Sequence, residues 1–174
     1  MNHCAIVLLF LCGGTVGLGQ DVGSALSPDA VLTRLLEGNQ RYMRHKERHP
    51  DQSAARQKEV AEGQHPFAVI LGCADSRVPP ELVFDQGLGD LFVIDAAGHL
   101  KALVAAIQPS VSATAKDPGD KIHNCVIENA RRVARQLRQS EPVVKEAVER
   151  NELKIVAVDY ALDTGKVTLL DGHP

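Results

Sequence analysis

The sequence predicts an α/β fold in which a mostly parallel β-sheet is flanked by helices. Two short apolar runs, residues 67–71 and 91–94, are typical of strands buried on both faces, because they do not alternate with polar residues, and residues 154–158 predict a third strand. A short helix or turn that starts at Pro79 is predicted between the first two strands, and longer helical patterns lie between the second and the third, as expected when strands are joined through helices. A group of polar residues directly follows the first run, at the edge where open α/β sheets bind their ligands.

The size and composition indicate one globular domain, which we place at residues 27–174. The chain has 174 residues, of which 44% are hydrophobic and 24% are charged, as in ordinary globular proteins. The net charge is −3 and no basic stripe is present, so we expect no nucleic acid partner. The chain has no Trp, two Tyr and four Phe, which also disfavours platforms that stack bases.

The N-terminus differs in composition from the rest of the chain. Residues 4–12 are apolar but too few to cross a bilayer, and small residues follow them. This pattern predicts a signal peptide over residues 1–19 and a flexible lead-in over residues 20–26, and hence an exported protein, periplasmic or secreted. Because residues 1–3 carry no Lys or Arg, an uncleaved anchor or a misassigned start codon are the alternatives.

Helix signals flank the predicted strands. Ser27, Pro28 and Asp29 predict the start of a first helix, and a second helix is predicted over about 52–62, ended by Gly63. The later segments are predicted as follows: a helical pattern over 100–108, a loop over 109–120, an amphipathic helix over 122–137, a helix over about 141–150 capped by Ser140, and a final hairpin with its turn at 163–166.

Cys73, Asp75 and Arg77 form the densest group of chemically useful side chains, at i, i+2 and i+4 after the first strand. The Cys73 thiolate is a soft metal ligand, and the Asp75 carboxylate can be a second ligand or a base. Arg77 is placed to hold that carboxylate by a two-pronged hydrogen bond. The structural alternative is an inert buried thiol beside an ion pair that caps the turn.

The motif and its context resemble the β-class carbonic anhydrases. The resemblance is carried by Cys73-Ala-Asp-Ser-Arg77 with the following Val-Pro-Pro-Glu-Leu-Val-Phe-Asp-Gln-Gly, by Gly38-Asn-Gln-Arg-Tyr42, by Gly63-Gln64 and by residues 153–167. It covers most of residues 28–99 and most of residues 121–170. A string of this length is far more specific than a bare C-x-D-x-R pattern.

The resemblance implies a fold, an activity and a set of roles. It implies the α/β fold of β-carbonic anhydrases, a homodimer or larger homo-oligomer, and a lyase that hydrates carbon dioxide reversibly to bicarbonate with zinc. It also implies that Cys73 is a zinc ligand, that Asp75 is the catalytic carboxylate beside the metal with Arg77 as its partner, and that Gln64 contacts the substrate.

The chain departs from the family at the second zinc-ligand motif. No H-x-x-C occurs in the sequence, and residues 95–99 read Asp-Ala-Ala-Gly-His where the family usually reads Arg-x-Ala-Gly-Asn. We therefore expect that a strand-and-helix unit of about 30 residues is missing between about Gly98 and Lys101, through a deletion or a gene-model error. A non-catalytic or truncated relative with an incomplete zinc site is the alternative function.

Three further residues are candidates for the missing zinc ligands: His99, His123 and Cys125. His123 and Cys125 point about 200° apart on a helix, so they cannot easily bind one ion. Cys125 lies on the apolar face, which predicts core packing, and His123 is predicted to be solvated. His99, near the end of the second strand, is the best remaining candidate. A thiol redox function is disfavoured because the chain has no C-x-x-C.

Overall fold

The computed structural model describes residues 3–11, 26–72, 75–95 and 100–171, and of residues 3–11, 95 and 100–104 it describes the backbone alone. Helices and strands alternate along most of the chain, which confirms the α/β class. The described elements are β1 (His3–Leu11), α1 (Pro28–Met43), α2 (Ala54–Glu62), β2 (Ala68–Gly72), α3 (Pro80–Val83), β3 (Leu91–Asp95), α4 (Leu100–Thr114), α5 (Lys121–Arg138), α6 (Val143–Glu149), β4 (Leu153–Ala161) and β5 (Val167–Leu169).

The five described strands form one sheet with the spatial order β3-β2-β1-β4-β5. β2 and β3 pair in parallel, whereas β1 lies between β2 and β4 and is antiparallel to both. β5 is antiparallel to β4, as the predicted hairpin requires. The expected mostly parallel sheet is therefore a mixed sheet: β2, β3 and β4 share one direction, but β1 separates β4 from the other two.

The segment that the sequence assigns to a signal peptide contains the central strand of this sheet. Pairing with β4 runs from His3 opposite Ala161 to Leu11 opposite Leu153. The expected cleavage point after Gly19 lies outside the described residues, as does the predicted lead-in apart from Leu26. The signal peptide stays a prediction. Within the described ranges, no helix has both the length and the apolarity needed to cross a bilayer.

The first two helices begin where their caps predict. The Ser27 hydroxyl accepts a hydrogen bond from the backbone N–H of Ala30, and Pro28 occupies the first turn of α1. The Ser53 hydroxyl likewise accepts a hydrogen bond from the backbone N–H of Arg56, so α2 starts at Ala54. In each case the serine oxygen satisfies one of the backbone N–H groups that a helix start leaves unpaired.

α4 extends to Thr114 through Pro109, so the prediction of a loop from residue 109 is wrong. Proline removes one helical hydrogen bond, but contacts with α5 hold the helix together at this point. The Arg132 guanidinium donates to the carbonyl of Ala106 at 3.1 Å, and the hydroxyl of the fully buried Ser110 lies 3.3 Å from the Asn129 side chain. The position of α5 therefore overrides the local sequence signal.

α6 is also capped differently from the prediction. It begins at Val143 after Pro142, and no side-chain hydrogen bond caps it. The hydroxyl of Ser140 instead donates to the carbonyl of Gln136 in the last turn of α5. Ser140 therefore belongs to the end of the preceding helix, because its side chain reaches back to a carbonyl of the last turn there.

Helices cover both faces of the sheet, and β4 is buried on both of its sides. On one face, Val156, Val158 and Tyr160 pack with apolar residues of α1 and with Phe84. On the other face, Leu153, Ile155 and Ala157 pack against Ala130 and Ala134 of α5. This two-sided burial explains why the middle of β4, residues 155–158, is a continuous apolar run.

Gly38 and Asn39 of α1 fasten this helix to the two segments beneath it. A β-carbon on Gly38 would lie 1.8 Å from the Phe84 carbonyl oxygen, so only glycine allows the helix to come this close. The buried Asn39 amide donates to the carbonyls of Val83 and Gly165 and accepts from the N–H of Val167. The Gly38-Asn39 pair therefore joins α1 to the end of α3 and to the β4–β5 turn.

Replacing Gly38 by alanine should destabilise the domain, because the new methyl group meets backbone rather than a movable side chain. We expect Gly38→Ala to lower the free energy of unfolding by about 2–3 kcal/mol, measured by urea titration. Gly63→Ala is the matched control: its backbone is extended and a β-carbon there meets nothing within 4 Å. Equal effects of the two changes would contradict the close approach at Gly38.

Candidate functional site

The predicted site lies at the carboxyl end of β2. β2 ends at Gly72, whose partner on the parallel strand β3 is Asp95. Cys73 follows β2 and His99 follows β3, but both lie outside the described residues. Because the two strands end in register, their carboxyl ends lie side by side at one edge of the sheet, and Cys73 and His99 each follow one of these ends in the sequence. Their roles as metal ligands stay predictions.

Arg77 holds Asp75 through three hydrogen bonds. Its Nε donates to Oδ1 at 3.0 Å, its Nη2 donates to Oδ2 at 2.7 Å, and its backbone N–H donates to Oδ1 at 3.0 Å. The two-pronged hydrogen bond predicted from the spacing is therefore present. The Asp75 carbonyl also accepts from the N–H of Val78, which closes a turn before α3. This turn brings the two side chains together without help from any distant element.

The Asp75 carboxylate is ionised over the whole neutral range. Hydrogen bonds from the Arg77 side chain, and then from its backbone N–H, lower the pKa of Asp75 from 3.8 to about 2. The side chains of Asp75 and Arg77 are 24% and 65% exposed, so this surface pair orders the turn rather than stabilising the domain. Asp75 can accept a hydrogen bond or a proton at neutral pH, but it has no proton to donate.

Gln64 lies in the segment between α2 and β2 and its side chain is exposed. This segment leads directly into the strand whose far end carries the motif. A role for Gln64 beside the substrate stays a prediction.

The described residues do not complete a metal site. Among them, no three His, Cys, Asp or Glu side chains are grouped closely enough to hold a metal ion. Cys125 is a free thiol on α5, and both it and His123 are half-buried. Cys125 is therefore only partly packed in the core, and His123 is not fully solvated as predicted.

Two acidic residues that follow α3, Asp85 and Asp90, are buried in a network of arginines. Asp85 is 3% exposed and accepts hydrogen bonds from the Arg41 Nε at 2.5 Å and from the backbone N–H groups of Arg48 and His49. Burial raises the pKa of Asp85, but these hydrogen bonds outweigh burial, so its pKa lies below the usual value of 3.8. Asp85 thereby ties α1 and the segment after it to the end of α3.

Asp90 connects both early helices to the segment before β3. It is 6% exposed, forms ion pairs with Arg34 at 3.2 Å and Arg56 at 3.6 Å, and accepts from the N–H of Gly87. Gln86 accepts from the Nε of the same Arg34. The arginine partners Arg34 and Arg56 are far from Asp90 in the sequence, so spacing along the chain gave no signal for them. The signal that was available was the resemblance of the string at residues 85–87 to the family.

The ion pair predicts an unusual titration of Asp75. In the protein the carboxyl carbon of Asp75, followed by NMR, should titrate with a midpoint of about 2. In Arg77→Met it should return toward 3.8, because the donors that favour the ionised form are gone. The Asp75–Arg77 ion pair is fully formed above pH 3.8, and it is lost as the pH falls toward 2. A midpoint near 3.8 in the unmodified chain would contradict the pairing.

Asp85→Asn should destabilise the domain, because Arg41 and two backbone N–H groups lose a buried carboxylate. We expect a loss of about 2–4 kcal/mol in the free energy of unfolding at pH 7, somewhat below the range for fully buried pairs because Arg41 keeps contact with water. Since the pKa of Asp85 is lowered in the folded state, the difference should shrink as the pH falls below 3.8. Asp163→Asn, at an exposed turn, is the control and should change little. A pH-independent difference would speak against a buried ionised carboxylate.

Comparison with known proteins identifies relatives of this chain. The model of the carbonic anhydrase family matches residues 68–114 and 94–167. A protein named carbonic anhydrase 2 from Mycobacterium tuberculosis is 47% identical over 88 residues, which are 49% of this chain and 42% of that protein. A carbonic anhydrase from Mycolicibacterium smegmatis is 41% identical over 88 residues, 49% of this chain and 43% of its own length. The chain therefore spans less than half the length of these curated relatives.

The two family matches together extend from residue 68 to residue 167, which is more than half of the chain. They include the turn in which Arg77 holds Asp75 and the buried acidic residues that follow it. On this evidence, the chain belongs to the β-carbonic anhydrase family.

Proposed function

We propose that the chain takes part in the reversible hydration of carbon dioxide to bicarbonate, as a zinc-dependent lyase of its family. The observation that carries the proposal is the Asp75–Arg77 pair, which stands ready-made two residues after Cys73 at the end of a buried strand. The hydration of carbon dioxide consumes water and releases a proton. A carboxylate with a fixed orientation and a fixed negative charge is therefore useful beside the reacting water. A homodimer or larger homo-oligomer is part of the same proposal.

Each residue of the site has a part that follows from its own chemistry. Asp75, ionised and turned by Arg77, can accept a hydrogen bond from the attacking water or hydroxide and so orient it. Arg77 fixes the rotamer of Asp75 and keeps it charged. Gln64 carries an amide N–H₂ group that can donate to a bicarbonate oxygen. None of these groups alone makes water nucleophilic at neutral pH.

In carbonic anhydrases with three histidine ligands, a site unlike that of this family, zinc supplies that step by lowering the pKa of bound water to about 7. The candidate ligands here are Cys73, Asp75 and His99. Asp75 already accepts three hydrogen bonds from Arg77, two of them from its cationic side chain, which disfavours a second cation on its oxygens. The described residues thus do not fit a complete tetrahedral site.

The shortage of zinc ligands also supports the proposal that a strand-and-helix unit is missing between about Gly98 and Lys101. The family model matches the chain in two stretches that overlap over residues 94–114, rather than in one continuous alignment. This pattern is expected when an internal segment of the family is absent and the two flanks each extend into the junction. The absent unit is the one in which the family carries its H-x-x-C.

A second candidate is a family relative without catalysis. The chain has no H-x-x-C, and no three potential ligands are grouped among the residues that the structure describes. Such a protein would keep the fold and the Asp75–Arg77 turn, and would bind bicarbonate or a partner without turnover.

Zinc content and carbon dioxide hydration decide between the two candidates. We expect the purified full chain, incubated with zinc, to accelerate hydration measured by stopped flow with a pH indicator. Cys73→Ser and Asp75→Asn should each reduce the rate constant at least about tenfold, as loss of a ligand or of an orienting group does. Asp117→Asn, an exposed carboxylate elsewhere, is the matched control and should leave the rate unchanged. A zinc-treated chain no faster than the zinc-free chain would overturn the catalytic proposal and favour the second candidate.

A further inference from the structure

We propose that residues 3–11 are a retained structural strand of the folded protein, which fills a strand-accepting slot between β2 and β4. The slot consists of the facing backbone edges of Val69–Leu71 on β2 and residues 153–161 on β4. Its occupant is the N-terminal segment of the same chain. The segment therefore cannot be both a cleaved leader and the centre of the folded sheet in one molecule.

The backbone N–H and C=O groups of β4 point alternately toward β1 and away from it. The odd-numbered residues turn their N–H and C=O groups away from β1: Ala161 donates to the Lys166 carbonyl, Ala157 donates to Asp171 and accepts from Leu170, and the Ile155 carbonyl accepts from Arg138. Since these groups alternate along a strand, the even-numbered residues turn theirs toward β1.

The even-numbered residues 156, 158 and 160 have almost no access to water in the folded sheet. Val156 and Val158 are 0% exposed and Tyr160 is 2% exposed. Without β1, the N–H and C=O groups on this edge would lose their partners between two helix-covered faces, at a cost of about 1–3 kcal/mol for each group that water does not reach. Several such groups together exceed what a marginally stable domain can lose. A strand in the slot is therefore a condition of the fold.

β1 is also the link between the two halves of the sheet. Among the described strands, β2 and β3 form one half, β4 and β5 form the other, and each half pairs with β1 rather than with the other half. α5 packs across both β1 and β4. Removal of β1 would open the sheet at its middle rather than at an edge.

The chemistry of the slot matches the segment that occupies it. Helices cover both faces of the sheet next to the slot, with Leu35 of α1 on one side and Ala134 of α5 on the other, both 0% exposed. A strand between two covered faces has to be apolar throughout. Residues 4–11, Cys-Ala-Ile-Val-Leu-Leu-Phe-Leu, contain no polar or charged side chain other than the thiol.

A disulfide placed at the observed register tests the occupant. His3 lies opposite Ala161, whose own backbone groups pair with the β5 side, so this is a non-hydrogen-bonded pair with α-carbons about 4.5 Å apart. That separation fits a disulfide. We expect His3→Cys with Ala161→Cys, in a full chain in which Cys4 and Cys12 are replaced by Ala, to form an intramolecular bond on mild oxidation.

The matched control is Ala5→Cys with Ala161→Cys, in the same background. Ala5 lies opposite Asp159, so these two cysteines are diagonal and too far apart for an unstrained bond. A monomeric cross-linked product from the in-register pair, at least tenfold more abundant than from the diagonal pair, supports the proposal. A cross-linked dimer would assign the slot to a second copy, and equal yields would place the segment elsewhere; either result overturns it.

The unmodified chain gives an independent test that no substitution can disturb. We expect the intact mass of the folded, purified protein to include residues 3–11, and the amides of Val156 and Val158 to be among the slowest to exchange with deuterium. A folded chain that begins at residue 20 and still protects these two amides would overturn the proposal.

Discussion

The domain depends on backbone hydrogen bonding at the centre of its sheet. The even-numbered residues of β4 direct their N–H and C=O groups toward β1 from positions that water does not reach. β1 also pairs with β2, and the carboxyl end of β2 carries the motif that contains Asp75 and Arg77. The functional edge of the sheet is therefore placed by a strand from the other end of the chain, and only the turn at that edge is built locally.

Local and long-range interactions divide the site between them. The turn over residues 75–78 is closed by Arg77 and by the N–H of Val78, so its geometry needs nothing beyond four consecutive residues. The segment that follows it is fixed by Asp85 and Asp90, whose arginine partners lie on α1 and α2. A change in the first group alters the charge and direction of one carboxylate, whereas a change in the second loosens the support of the whole edge.

The same division explains what the sequence could predict. The cap at Ser27, the final hairpin and the Asp75–Arg77 hydrogen bonds are short-range, and the sequence was sufficient for each of them. The helix through Pro109 was missed because its support comes from Arg132 on another helix. The central strand was missed for a different reason: an apolar run followed by small residues fits a leader and a strand buried on both faces equally well. The roles of Cys73 and His99 remain predictions from the resemblance.

The fold, and with it the position of the Asp75–Arg77 turn at the edge of the sheet, rests on a sheet closed by β1. Contacts between backbone α-protons in an NMR spectrum of the full chain test this dependence most directly. The register predicts close pairs between Val7 and Ala157 on one side of β1 and between Leu8 and Ile70 on the other. Close pairs between β2 and β4 themselves, with none to β1, would contradict it.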